Sequence, residues 1–143
     1  MLIVRLKQHF RERQMEWALA GMATGWGAIL MNSPSTFDRP FYAPLRRMAS
    51  VDFWGWGMFL IGLMGVVVLF INGAWRRTPV FRQISSGGRM LAWAGLFFGC
   101  LSVEWQTPAA VVYGMILAME GMAMSNATAD GQRIKSGVQA NGY

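Results

Sequence analysis

Charge is scarce in this chain. Asp, Glu, Lys and Arg make up only 14% of its 143 residues, against about 25% in a typical globular protein. A single cysteine, Cys100, excludes an internal disulfide. It lies in an apolar run and reads as a small hydrophobe. A single histidine, His9, leaves too few ligands for a metal site of the His/Cys type. Catalytic signatures are missing as well. There is no G-x-S-x-G, no G-x-x-x-x-G-K-[ST] and no H-E-x-x-H. Spacing alone brings no two carboxylates together, as glycoside hydrolysis would require. The expectation is therefore no enzyme and no cofactor. A cleavable signal peptide is not expected either. The A-L-A at 18–20 resembles a cleavage site, but the preceding RLKQHFRERQMEW is not an apolar stretch.

Large apolar side chains, by contrast, are abundant. Apolar residues reach 54%, with seven Trp, nine Phe and twelve Met. A globule of this size buries only about 68–70% of its unfolded surface, too little to hide them. The bilayer is the natural solvent for the excess. The net charge of +6 does not point to nucleic acid. Its basic residues sit in short clusters between apolar runs, as in membrane-protein loops. The aromatics lie inside those runs, so no stacking platform borders a basic groove.

The pattern predicts an all-α polytopic membrane protein with about four spans and three sections. Residues 1–14 mix basic and apolar side chains, with Leu2, Leu6 and Phe10 spaced by four, and read as an interfacial amphipathic helix. Residues 15–126 hold spans at about 15–31, 53–75, 89–105 and 108–126. A Pro-rich loop follows the first, and a basic loop over 76–89 follows the second. Thr107-Pro108 reads as a helix start that splits the long apolar stretch after residue 89. Residues 127–143 form a polar tail, expected to be disordered at its end. The third span has only 14 uncharged residues before Glu104, so a three-span topology with a re-entrant segment is the alternative.

Orientation follows from the basic residues. Four Lys and Arg precede the first span, three lie between spans one and two, four between two and three, and two in the tail. The positive-inside rule then puts both termini in the cytoplasm. Arg76 and Arg77 act as a cytoplasmic anchor, with anionic lipid headgroups as natural partners. Trp54 and Trp56 at one end of the second span, and Trp75 at the other, fit the two aromatic belts.

Small residues recur four apart on the predicted spans, at Gly21 and Gly25, at Gly95 and Gly99, and at Ala110, Gly114 and Ala118. Gly62 and Gly65 lie three apart. Such faces let backbones approach closely. They serve packing within the bundle or contact with a second copy or another membrane subunit. Glu120 is the most informative side chain. It falls about twelve residues into the last span, some 18 Å along the helix. A carboxyl at that depth faces a partner or water. The functional reading is a proton or cation relay. The plainer one is a neutral Glu120 hydrogen-bonded across the bundle, since no Lys or Arg falls inside the predicted spans. Glu104 and Glu16 read as interfacial. Met115, Met119, Met122 and Met124 could suit Cu(I), but with no Cys or His beside them they read as adaptable packing.

Several stretches between residues 16 and 82 carry a resemblance. EWALAGMATGWGAILM, the TF-x-x-P-x-Y of TFDRPFY, WGWGMFLIGLMGVVVLFING and WRRTPVFR resemble pieces of small membrane proteins encoded by tailed bacteriophages and prophages, some of them described as holin-like. The likeness covers about half of the chain. GLMGVVVLF departs from it, because a basic residue often follows the GL pair there. The resemblance implies a phage protein in the host inner membrane and brings no catalytic residues with it. Three functions are thus expected in competition: holin-like permeabilisation by self-association, a non-catalytic subunit of a larger membrane or virion assembly, and a small proton-coupled transporter using Glu120.

Overall fold

The computed structural model describes residues 13–74 and 79–140, and every long element in it is helical. Four long helices form the frame: α1 (Gln14–Asn32), α3 (Val51–Ala74), α4 (Pro79–Val103) and α5 (Pro108–Ala140). The short α2 (Ala43–Met48) and two 3-10 turns, Pro34–Asp38 and Pro40–Tyr42, connect α1 to α3.

The boundaries have local causes. α1 stops at Asn32, just before Pro34, since a proline restricts the residue before it and cannot extend a helix. The Ser50 hydroxyl accepts the backbone N–H of Phe53 at 3.3 Å and caps α3. Pro108 opens α5, where a missing N–H costs nothing.

The four long helices close a ring, with α1 against α3, α3 against α4, α4 against α5 and α5 against α1. Glu16 at the start of α1, Leu69 near the end of α3 and Arg82 at the start of α4 line one cavity. Asp130 of α5 pairs with Arg82 at the same end. The bundle therefore runs up and down, with the described start of α1 and the far part of α5 at one end.

α1 and α3 touch through backbone. A side-chain carbon placed on Gly27 would strike the backbone of Phe59 and the Gly55 carbonyl. One on Gly62 would strike Thr24 N and lie 2.9 Å from the Ala20 carbonyl. At the other end, Phe37, Tyr42 and Leu45 of the α1–α3 connection are buried over the helix ends. Trp54 Nε1 donates to the Leu45 carbonyl at 3.1 Å, and the Arg46 guanidinium donates to the Phe37 carbonyl.

Two expectations need correction. The basic loop over 76–89 is helix from Pro79 onward, so α4 begins about ten residues before its predicted start at 89. Ser85, Ser86, Gly87 and Gly88 look like breakers, but tertiary packing overrides that signal. A side chain at Gly88 would collide with Ile61 of α3, and Ser85 bonds the Ile61 carbonyl at 3.2 Å. α5 itself runs on past the predicted span end at 126, through the polar segment to Ala140. The Pro-rich loop is mostly 3-10 and helical turns. Among the described residues, two of the four predicted spans fall in helices long and apolar enough to cross a membrane, Val51–Ile71 and Pro108–Gln132. The amphipathic reading of residues 1–12 and the anchoring roles of Trp75, Arg76 and Arg77 lie outside the described residues.

The glycine contacts make a direct prediction. Gly62→Val should destabilise the bundle by about 3 kcal/mol, since backbone rather than a flexible side chain blocks the added carbon. Gly25→Val, with open space around it, should change stability by less than about 0.5 kcal/mol. Unfolding in mixed detergent micelles would check both, and equal effects would refute the close α1–α3 approach.

Candidate functional site

Two groups of buried charge lie along the bundle interior. α4 supplies both arginines from one face. Arg82, Ser85, Ser86 and Arg89 are spaced 3, 1 and 3, the repeat that aligns side chains on a helix. All four are buried. This stripe points inward, while Phe81, Ile84, Leu91 and Phe98 of the same helix point outward.

The upper group centres on Glu120, which is 0% exposed, and Arg89, 3% exposed. Arg89 Nε donates to Glu120 Oε1 at 2.6 Å and Nη2 donates to Oε2 at 3.1 Å. The pair is bidentate, the strongest arrangement open to a guanidinium and a carboxylate. Ser86 Oγ donates to Glu120 Oε2 at 2.8 Å. Arg89 Nη1 donates to Ser85 Oγ at 2.6 Å, and the Ser85 hydroxyl in turn donates to the Ile61 carbonyl at 3.2 Å. Gly65 makes room for this. A side-chain carbon there would meet Arg89 Nη1 and come within 2.9 Å of Ser85 Oγ.

Glu120 lies twelve residues after Pro108, and Arg89 fourteen before Val103. At 1.5 Å per residue these are about 18 and 21 Å from the connecting turn, so the partners share one height. The expectation that no basic residue could pair with Glu120 is thus overturned. Placing Arg89 in a loop hid it.

The lower group is a ring of four charges. Arg82 Nε donates to Glu16 Oε2 at 2.9 Å, and Nη2 to Oε1 at 2.6 Å. Arg82 Nη1 donates to Asp130 Oδ2 at 2.8 Å. Arg13 closes the ring, with Nη1 on Glu16 Oε1 at 3.0 Å and Nη2 on Asp130 Oδ2 at 2.6 Å. Three helices are joined this way, and two positive charges balance two negative ones. Glu16, read as interfacial, is buried in an ion network. A cavity of about 10 Å³ separates the groups, with Glu16, Arg82, Ser85 and Arg89 in its wall. That is about the space of one water.

Above Glu120 the interior turns aromatic. Trp93 stacks on Tyr113 at 5.9 Å and meets Trp26 edge-on at 6.0 Å. Tyr42 stacks on Phe37 at 5.0 Å. The buried Trp93 Nε1 has no acceptor.

The remaining predicted residues scatter. Gly21 and Gly25 sit on an open face of α1 with nothing near them. Gly62 and Gly65 face inward against α1 and α4, Gly95 lies 3.3 Å from Leu45, and Gly99 is buried. Ala110 is buried, Gly114 meets Phe97, and Ala118 is exposed. Trp54 is half-buried and bonded to Leu45, while Trp56 is exposed. Glu104 is exposed in the turn. Met115, Met122 and Met124 face outward, and Met119 packs on the core. Among the described residues no three His, Cys, Asp or Glu side chains gather to hold a metal ion.

No protein-family model, no curated protein and no solved structure matches this chain.

Two stability tests follow from the charge groups. Arg89→Met should cost about 3–5 kcal/mol, because it leaves Glu120 buried and uncompensated, whereas Arg89→Met with Glu120→Met should recover most of that loss. In the lower ring, Asp130 is 29% exposed and Glu16 only 9%. Asp130→Asn should therefore cost clearly less than Glu16→Gln. Denaturation midpoints in detergent would settle both orders, and a double variant no better than the single one would contradict the first.

Proposed function

We propose that this chain is an integral membrane protein that works as a non-catalytic helical subunit of a larger membrane or virion assembly. The observation that carries this reading is the inward pairing of charge beneath an apolar exterior. Arg82, Arg89, Glu16 and Glu120 are all buried and bonded to one another's helices. Such pairs hold helices in place.

Membrane residence has its own support. The two helices apolar enough to cross have only 33% and 22% of their most apolar windows buried within the chain. The core helix of a soluble protein would be mostly buried. Phe53, Trp56, Leu60, Phe70, Leu91 and Phe98 all face outward. Four spans are proposed, with α1 and α4 crossing beside α3 and α5. Of thirteen Lys and Arg, Arg82 and Arg89 lie inside the bundle, three fall in the α1–α3 connection, and the other eight, counted along the sequence, precede α1, fall between α3 and α4 or follow the apolar part of α5. This bias favours cytoplasmic termini and anionic headgroups near Arg76 and Arg77. The resemblance to phage membrane proteins favours a bacterial inner membrane.

A second reading, holin-like permeabilisation by self-association, is favoured by the unoccupied Gly21 and Gly25 face of α1. Close-packing helices use such faces between copies. Proton-coupled transport through Glu120 fits less well. A carboxylate held by both guanidinium nitrogens and a serine is a poor proton carrier.

The deciding experiment is controlled expression in a bacterial host, following optical density and entry of a membrane-impermeant dye. Normal growth is expected, with the protein in the membrane fraction and unstable without co-expressed partners. Abrupt dye entry at a defined time would replace the subunit reading with the holin one. Gly25→Val should then delay or abolish it.

A further inference from the structure

We infer that α4 is a conditional span, entering the bilayer only as a hairpin with α5, with Arg89 and Glu120 paired at mid-depth. The inference rests on the membrane reading above. α4 is 25 residues long but is not among the helices apolar enough to cross by themselves. Two buried arginines and the Ser85–Gly88 stretch lower its apolar content. A lone arginine near the centre of a span disfavours insertion by about a hundredfold.

The fold supplies the remedy. Residues 104–107 make a tight turn, so α4 and α5 must lie antiparallel and adjacent. Their close pairing brings Glu120 onto Arg89 through two hydrogen bonds. The guanidinium then enters as part of a neutral pair, with a third bond on Ser85 of its own helix. Arg82, nearer the helix start, meets Glu16 of α1, which precedes it in the chain. Gly65 of α3 leaves the slot that the incoming Arg89 fills. α1 and α3 thus form a template closed by glycine contacts, and α4 and α5 add to it together. α5 is apolar enough to cross alone, so it is the member that carries α4 across.

The test reads which side of the membrane the 104–107 turn occupies. In full-length chain carrying Cys100→Ala and Gln106→Cys, a membrane-impermeant maleimide is applied to intact spheroplasts. The parent should be labelled from outside. Adding Glu120→Ala should cut outside labelling at least tenfold, because α4 keeps an unpaired Arg89 and stays behind. Adding Arg89→Leu to Glu120→Ala should restore it, since α4 then brings no unpaired charge into the hairpin, Arg82 keeping its partner Glu16 on α1. A variant that merely failed to fold would not regain its topology on losing a second polar contact. If Glu120→Ala alone is degraded, the Leu/Ala double variant still decides. Its accumulation with outside labelling supports the conditional span, and its loss overturns it. Full outside labelling of Glu120→Ala also overturns it. Absence of the parent from the membrane fraction would instead defeat the membrane reading itself.

Discussion

One ion pair governs the interior of this bundle. Arg89 and Glu120 are both inaccessible to solvent, and neither is tolerable there without the other. Because the contact is bidentate, it fixes angle and height as well as distance. α4 and α5 can therefore meet in one register only. A shift of α4 by one residue would carry Arg89 off the shared face and leave both charges unpaired. Other choices follow from that register. Position 65 is glycine where the guanidinium lies against α3, and Ser85 and Ser86 take the hydrogen bonds that the pair leaves over.

The two halves of the bundle are joined by different means. α1 and α3 approach through Gly27, Gly55 and Gly62, where van der Waals contact between backbones does the holding. α4 and α5 are tied by charge and hydroxyl bonds. The lower ring joins the halves, since Glu16 of α1 meets Arg82 of α4, and Arg82 meets Asp130 of α5. Glycine contacts depend on shape alone, whereas the ion pairs also select a partner by sign. A bundle made with both is specified more tightly than with either.

Much of the helical frame was legible in the residues. The apolar run over 53–75 and the Thr107-Pro108 start gave α3 and the head of α5 within a few positions. α4 was not legible by apolar content, because its informative side is polar. Arg82, Ser85, Ser86 and Arg89 repeat at helical spacing, but a search for apolar stripes reads that stretch as a basic, glycine-containing loop. Glu120, Ala123, Ala127 and Asp130 repeat likewise on α5, and all but the partly exposed Asp130 are buried. A polar, basic stripe on α4 and two acids flanking a pair of alanines at helical spacing on α5 were the available signal for the site. The glycine motifs show a different limit. Gly21 and Gly25 have the spacing of a packing face yet lie open, while Gly62 and Gly65 are enclosed. Spacing identifies a shared face but not the direction in which it points.

The placement of charge also bears on the solvent for which the bundle is suited. A soluble four-helix bundle keeps apolar side chains inside and sets charge on its exterior. Over the first part of α4 the arrangement is inverted, with Arg82 and Arg89 inside and Phe81, Ile84 and Leu91 outside. In water this pattern is doubly unfavourable, since it exposes apolar surface and removes ions from their best solvent. In hydrocarbon the exterior costs nothing, and the ions have no water to return to. Their pairing is then opposed by little, because the separated state is worse than the paired one. On the proposed hairpin insertion, the same residues that make α4 a poor span alone fit it to a place beside α5. The inverted helix therefore favours a bilayer setting on grounds separate from the length and hydropathy of α3 and α5.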